Sequence, residues 1–446
     1  MLRSTKARLV TLFFLLALSL TQAQPQDWIR TGTNRGAPIR LAVPDFKAAT
    51  ADPQSAPMNA VFNETLWYDL ENSGVFEMVA KSFYPLQTPG SPNEMKLDAW
   101  GTPPPNAAMV AFGNLGVAAG KVDVQGWLFD AKNPGFPQVL GKQYKEDANP
   151  DNARLIAHRF ADEIIFRLGG GIQGIAESRI FFVSTRSGNK EIWSMDYDGA
   201  GQKQLTHGGG IALSPRISPD GSRLAFSALQ KDYSWQIMMY SLDLARTVAF
   251  PRFGGDNFSP AWSSDGTKIA LSSSMHSGLS EIFLADASGS GAKRLTTGKG
   301  DVSPVFNPKT NGQIAWVSGR SGLPQIYVMD ADGSNVQKVT DQGYAVSPSW
   351  SPNGLLLAFS WIRNYGPGVL GGQDIYLMDI ASRQIVQLTH DGGRNDFPSW
   401  SPDGRHIVFQ SNRGGTEQIW SVLADGTHLQ QLTRQGRNTQ PNWSFK

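Results

Sequence analysis

The side chains that could carry chemistry in this 446-residue chain are spread thin. Its histidines, His158, His207, His276, His390, His406 and His428, include no His-Glu-x-x-His pair with which a helix could hold zinc. No Gly-x-Ser-x-Gly elbow presents a nucleophilic serine. Cysteine is absent, which excludes thiol catalysis, thiolate-bound metal and disulfides. Asp196-Tyr-Asp-Gly and Asp330-Ala-Asp-Gly open like a calcium loop but lack its later acidic ligands, so they read as hairpin turns. Gly169-Gly-Gly171 is followed by no Lys-Ser/Thr pair and is not a phosphate loop. His207 and His390 each follow Leu-Thr, so a repeat accounts for them better than ligation does. No catalytic residue, no metal ligand and no cofactor is expected.

That repeat is the strongest pattern in the chain. Ser214-Pro-Arg-Ile-Ser-Pro-Asp-Gly221 returns as Ser259-Pro-Ala-Trp-Ser-Ser-Asp-Gly266, Ser303-Pro-Val-Phe-Asn-Pro308, Ser347-Pro-Ser-Trp-Ser-Pro-Asn-Gly354, Phe397-Pro-Ser-Trp-Ser-Pro-Asp-Gly404 and Gln440-Pro-Asn-Trp-Ser444. Successive copies start 45, 44, 44, 50 and 43 residues apart. Each period holds four short apolar or alternating segments, as in the copy at Ser347: the phrase itself, Leu355 to Trp361, Asp374 to Asp379 and Gln384 to Thr389. Four strands per period of this length is the signature of a propeller blade. The region opens at Arg179-Ile-Phe-Phe-Val-Ser184, in the phase of a second strand, and closes at Gln440, in the phase of a first. The C-terminal strand is therefore expected to complete the blade begun by residues 179–206, closing a ring of six blades and removing an open edge. Ile217 and Phe306 stand where the other copies have Trp262, Trp350, Trp400 and Trp443, and Thr247-Val-Ala-Phe-Pro251 replaces the Gln-Leu-Thr of other copies.

Residues 38–172 lack the repeat and read as a small α/β domain. Ile39 to Val43, Val75 to Val79, Ala108 to Phe112 and Val122 to Phe129 are strand candidates, and Met58 to Asn72 has helical apolar spacing. Asn149 followed by Pro150 announces a second helix, with Leu155, Ile156, Phe160, Ile164 and Leu168 as its apolar stripe and Gly169 at its end. Residues 173–446 are then the propeller. Residues 1–23 read as a signal peptide: Arg3, Lys6 and Arg8 precede an apolar run from Leu9 to Leu20, and Ala23 is a plausible cleavage position. Their removal takes the formal charge from +2 to −1, so neither nucleic acid nor an anionic membrane is an expected partner, and no other apolar run is long enough to span a bilayer. Residues 24–37 are polar and glycine-containing and read as a mobile N-terminal segment.

The leader, the small α/β domain, the WSPDG-type repeats and the Pro-x-Trp-Ser closing strand, with Asp45-Phe46 and Asn72-Ser-Gly-Val-Phe76, together resemble the TolB family, periplasmic proteins of the Tol-Pal system of Gram-negative bacteria. The resemblance covers nearly all of the chain after residue 23. It implies a non-enzymatic, monomeric scaffold, free in the periplasm and serving outer-membrane integrity and envelope constriction at division. It implies two partners. The lipoprotein Pal would bind one propeller face, at the loops entering each first strand: Asp256, Asn257, Phe258 and Ser259; Asp301, Val302 and Ser303; Ala345, Val346 and Ser347; Asn395, Asp396 and Phe397; Asn438, Thr439 and Gln440. TolA would engage the N-terminal segment, where Asp27, Trp28, Ile29 and Arg30 are the residues expected to touch it. Two alternatives stand beside this: a propeller enzyme of the lactonase or sugar dehydrogenase type, holding a metal in the central channel, and a cell-wall-binding module.

Overall fold

A computed structural model describes residues 38–298, 300–365, 372–390 and 392–445. The expected leader, the segment 24–37 and the residues Asp27, Trp28, Ile29 and Arg30 lie outside the described residues. The described chain begins with β1 (Ile39–Ala42), β2 (Lys47–Ala48), α1 (Ser55–Asn72), β3 (Phe76–Met78), a short helix α2 (Leu97–Gly101), β4 (Met109–Ala118), β5 (Lys121–Asp130), β6 (Gln138–Asp147) and α3 (Pro150–Leu168). The sheet runs β3-β1-β4-β5-β6, with β2 beside β4. Pairing is parallel around β1 and antiparallel from β4 to β6. Helix α3 starts as its sequence dictates: the Asn149 side chain accepts the Asn152 N–H at 2.8 Å, and Pro150 occupies the first turn. Phe62, Leu66 and Leu70 of α1 and Ile156, Phe160 and Ile164 of α3 are buried together against Leu115, Val124 and Leu128 of the sheet. Strand β6 was not anticipated. It is an edge strand with a largely polar, half-exposed face, and it carries little of the apolar alternation that marks a buried strand.

The remaining described residues form six four-stranded blades. Blade 1 joins Asn438–Trp443 to Arg179–Ser184, Glu191–Asp196 and Lys203–Gln204, so the C-terminal strand closes the ring as the phase of the repeat requires. Blades 2 to 6 follow in chain order, with first strands at Ala212–Ile217, Asn257–Trp262, Asp301–Phe306, Tyr344–Trp350 and Asn395–Trp400. An apolar cluster fills each junction between neighbouring blades. Phe226 and Phe181 meet between blades 2 and 1, Trp262 and Met239 between 3 and 2, and Trp443 and Ile419 between 1 and 6. Burying each such side chain is worth about 1.5–3 kcal/mol.

The repeated phrase is spent on this scaffold. In blade 3, Ser263 Oγ donates to Asp265 Oδ1 at 2.6 Å and accepts the Lys268 N–H at 2.9 Å, knitting the turn between the first two strands. The same pair of bonds recurs from Ser351 to Asn353 and Leu356. Gly221, Gly266, Gly354 and Gly404 close these turns with φ between 67° and 73°, where a side chain would be strained. Trp262 donates Nε1–H to the carbonyl of Arg216 and Trp400 to that of Ser349, each in the preceding blade. The Leu-Thr ending has an equally plain role. Thr206, Thr296, Thr340, Thr389 and Thr433 each accept, at 2.9 Å, the N–H of an isoleucine in the third strand of the same blade. Blade 2, where Thr247-Val-Ala-Phe-Pro251 replaces the motif, does not show this bond.

The N-terminal unit sits across one end of blades 1 and 6. Asp69 of α1 meets His158 Nδ1 of α3 at 2.7 Å and accepts the Tyr197 hydroxyl of blade 1. Arg154 pairs with Asp198, Arg405 donates to Gly74 O at 2.6 Å, and His406 Nε2 lies 2.7 Å from Asn72 O.

Candidate functional site

Strand direction fixes which end of the ring remains open. The N-terminal unit covers turns that leave the first and third strands of blades 1 and 6. The opposite end gathers the starts of all six first strands and the loops between second and third strands. The positions expected to meet Pal lie at this open end, but within the strands, not in loops before them: Asn257, Asp301, Ala345, Asn395 and Asn438 are already paired in the first strand of their blade.

This placement divides the expected residues into two groups. Asn257, Asp301, Ala345, Asn395 and Asn438 are fully buried. Their polar groups are engaged inside the blades, except Asn257 Oδ1, which is buried without a partner among the described residues. Asp301 accepts from Trp316 Nε1 at 3.2 Å and from Arg320 at 2.9 Å. Asn395 accepts from Arg413 at 3.0 Å and donates to Asp374 at 2.9 Å. Asn438 donates to Gln418 at 2.7 Å, and Asn257 to the Gly255 carbonyl at 3.1 Å. A partner could reach them only by opening the blade. Asp256, half-buried, is likewise committed: its carboxylate accepts the Trp235 N–H at 2.9 Å.

The second group is half-buried at the open end: Phe258 and Ser259, Val302 and Ser303, Val346 and Ser347, Asp396 and Phe397, Thr439 and Gln440, of which Ser303, Ser347 and Phe397 line the channel. Leu213 and Ser214 of blade 2 complete the ring and were not anticipated, although Ser214 opens the first copy of the phrase. The residue before each proline takes a left-handed backbone, with φ of 53° at Ser214, 49° at Ser259, 56° at Ser303, 55° at Ser347, 53° at Phe397 and 53° at Gln440. Left-handed backbone disfavours any residue with a Cβ. It is imposed here by a bulge, because the register to the second strand slips at this point in all six blades. Bonds to the neighbouring blade hold the bulge: Ser259 N–H to Ser227 Oγ at 3.0 Å, Ser303 N–H to Ser272 Oγ at 3.2 Å and Gln440 N–H to Gln410 Oε1 at 3.0 Å. Asp396 Oδ1 gathers the hydroxyls of Ser347 at 2.8 Å and Ser360 at 2.7 Å, tying blade 6 to blade 5.

Apolar groups are placed among these polar ones. Phe258 lies 5.4 Å from the Trp235 ring, and Phe397 lines the channel. Outside them, in the loops between second and third strands of blades 2 to 5, stand Tyr233, Leu279, Leu323 and Tyr365, 85%, 54%, 42% and 50% exposed. The same loops of blades 1 and 6 carry Arg186, Asn189, Lys190, Arg413 and Glu417 instead. The apolar arc was missed in the sequence because each of its members sits in a different local context. The arrangement offers a concave, mixed surface of the kind a protein or peptide covers. Among the described residues, no group of three or more His, Cys, Asp or Glu side chains could hold a metal ion.

A family model described as "TolB beta propeller domain" matches residues 166–366 and 341–446. A "Protein TolB homolog" of Chlorobium luteolum is 31% identical over 281 residues, 63% of this chain and 61% of the relative. A "Tol-Pal system protein TolB" of Desulfosudis oleivorans is 32% identical over 294 residues, 65% of each chain. The chain thus spans about three fifths of the length of the curated relatives it matches. The crystal structure of TolB from Acinetobacter baumannii superposes with a TM-score of 0.76 over 92% of this chain and 97% of that one, at 23% identity, a likeness of fold.

Proposed function

This chain belongs to the TolB β-propeller family, and from that premise we propose that it is a periplasmic, non-enzymatic scaffold of the Tol-Pal system. In this reading Pal covers the open end of the ring, and TolA takes the N-terminal segment 24–37. The observation that carries the reading is the family match across the propeller. The open end supports it. Phe258 and Phe397 supply half-buried anchors, short polar groups surround them, and the exposed arc from Tyr233 to Tyr365 extends the apolar contact outward. The Pal-facing residues are Phe258, Ser259, Val302, Ser303, Val346, Ser347, Asp396, Phe397, Thr439 and Gln440. Asn257, Asp301, Ala345, Asn395 and Asn438 shape the backbone beneath them. No described helix is long and apolar enough to cross a membrane.

Co-purification from the native envelope tests the reading. The full chain should bring down both Pal and TolA, and a chain lacking residues 24–37 should keep Pal and lose TolA. Recovery of neither partner with the full chain would refute it. Turnover of a lactone or sugar by the pure protein, with stoichiometric metal, would favour the propeller-enzyme alternative instead.

A further inference from the structure

The central channel contains one charge that no carboxylate among the described residues answers. The next-to-last residue of each first strand lines it: Arg216, Ala261, Val305, Ser349, Ser399 and Asn442. The last residues of these strands, Ile217, Trp262, Phe306, Trp350, Trp400 and Trp443, and prolines of the phrase form much of the wall. The cavity has a volume of about 110 Å³, room for several waters or a small anion. Among the described residues that line it, Arg216 alone is charged.

Arg216 has five N–H donors in a planar fork, and the contact found for them is one 2.9 Å bond from Nη1 to the carbonyl of Pro215. No carboxylate among the described residues pairs with it, and burial alone drags its guanidinium down to about 10. The arginines at the outer mouth differ: Arg320 is paired with Asp301, and Arg413 and Arg186 are held by Asn395 and Asn438. Arg216 is half-buried, and a guanidinium partly withdrawn from water with no anionic neighbour favours a negatively charged ligand. Other donors are at hand. The Asn442 Oδ1 accepts the Ile217 N–H at 3.0 Å, which leaves the amide NH₂ to donate, and Ser349 and Ser399 add hydroxyls. Planar bidentate pairing is what a guanidinium offers a carboxylate.

We propose that the propeller channel is a carboxylate-binding site in which Arg216 is the anchor, and Asn442 and the channel serines complete the cradle. The carboxylate belongs either to a small organic acid or to an acidic side chain of a peptide segment entering from the open mouth. The site does not depend on the Tol-Pal reading, since it needs only the channel.

The test uses the chain without residues 1–23, at constant ionic strength held with chloride. Succinate and a Gly-Gly-Glu-Gly-Gly peptide are titrated separately, with tryptophan fluorescence and the unfolding midpoint as readouts. Trp262, Trp350, Trp400 and Trp443 surround the site, so occupancy should change emission in a saturable way, and the midpoint should rise with ligand. Saturation by succinate identifies a small-acid site, and saturation by the peptide alone identifies a segment-binding site. Arg216→Gln should weaken binding about tenfold or more, and Arg216→Lys less. No saturable response to either probe in the parent protein, or an unchanged response in Arg216→Gln, would overturn the proposal. Should Arg216→Gln fail to fold, the parent titration and Asn442→Leu, expected to weaken binding several-fold, decide the matter.

Discussion

Asp162 shows how a single buried carboxyl sets a pH dependence. It lies in α3 facing the segment before blade 1, where its Oδ1 accepts the Ala176 N–H at 3.1 Å. Burial pushes the carboxyl up to about 7, although that bond pulls the other way. Between pH 4 and 7 the folded chain therefore holds a proton that the unfolded chain has released. Stability falls as pH rises through that window. Asp162→Asn keeps an acceptor for Ala176 and removes the titration. It should match the parent at pH 4 and exceed it at pH 8 by about 2 kcal/mol, after discounting for residual solvent contact. Urea unfolding at the two pH values measures this. His158 acts in the same direction. Burial lowers its pKa, but the bond and charge of Asp69 outweigh burial and hold it above the ordinary value. Its contribution is complete below about pH 6.5 and is lost as pH rises through the raised value.

At the scale of the element, the threonine that ends five of the six blades is the clearest point of leverage. Thr389→Val keeps the shape and leaves the Ile375 N–H without an acceptor inside the sheet. The expected cost is about 1–3 kcal/mol, seen as a lower urea midpoint with an unchanged denaturant slope. Sequence reasoning reached the blades because the phrase, the Asp-Gly turns and the Leu-Thr endings each mark a fixed strand boundary. The site was harder to see. Asn257, Asp301, Asn395 and Asn438 are polar residues next to turns and suggest exposure. Asp301, Asn395 and Asn438 are buried because arginine and other side-chain partners elsewhere in the fold hold them, and Asn257 is held only through its NH₂ group. The left-handed residues at Ser214, Phe397 and Gln440 are equally hidden in the sequence, since their local preference opposes the conformation and the inter-blade bulge imposes it. Strand β6 was hidden by its polar edge.

At the scale of the molecule, ring closure and the joint with the N-terminal unit hold the open end in one shape. Deleting residues 438–446 would leave Arg179–Ser184 as an open, apolar edge. The truncated chain should lose cooperative unfolding and scatter light as oligomers, where the intact chain stays monomeric. Asp69→Ala would strand His158 and Tyr197 at the buried joint, at a cost of about 3–5 kcal/mol in chemical denaturation. In the proposed function, the open end of the ring receives Pal. Calorimetric titration of the chain without residues 1–23 against the periplasmic domain of the same organism's Pal tests it most directly. Phe397→Ser, at the channel mouth, should weaken binding about tenfold or more, while Leu355→Ser, exposed at the opposite end, should leave it unchanged. Equal affinity of Phe397→Ser and parent, or loss of binding with Leu355→Ser alone, would place Pal elsewhere on the molecule.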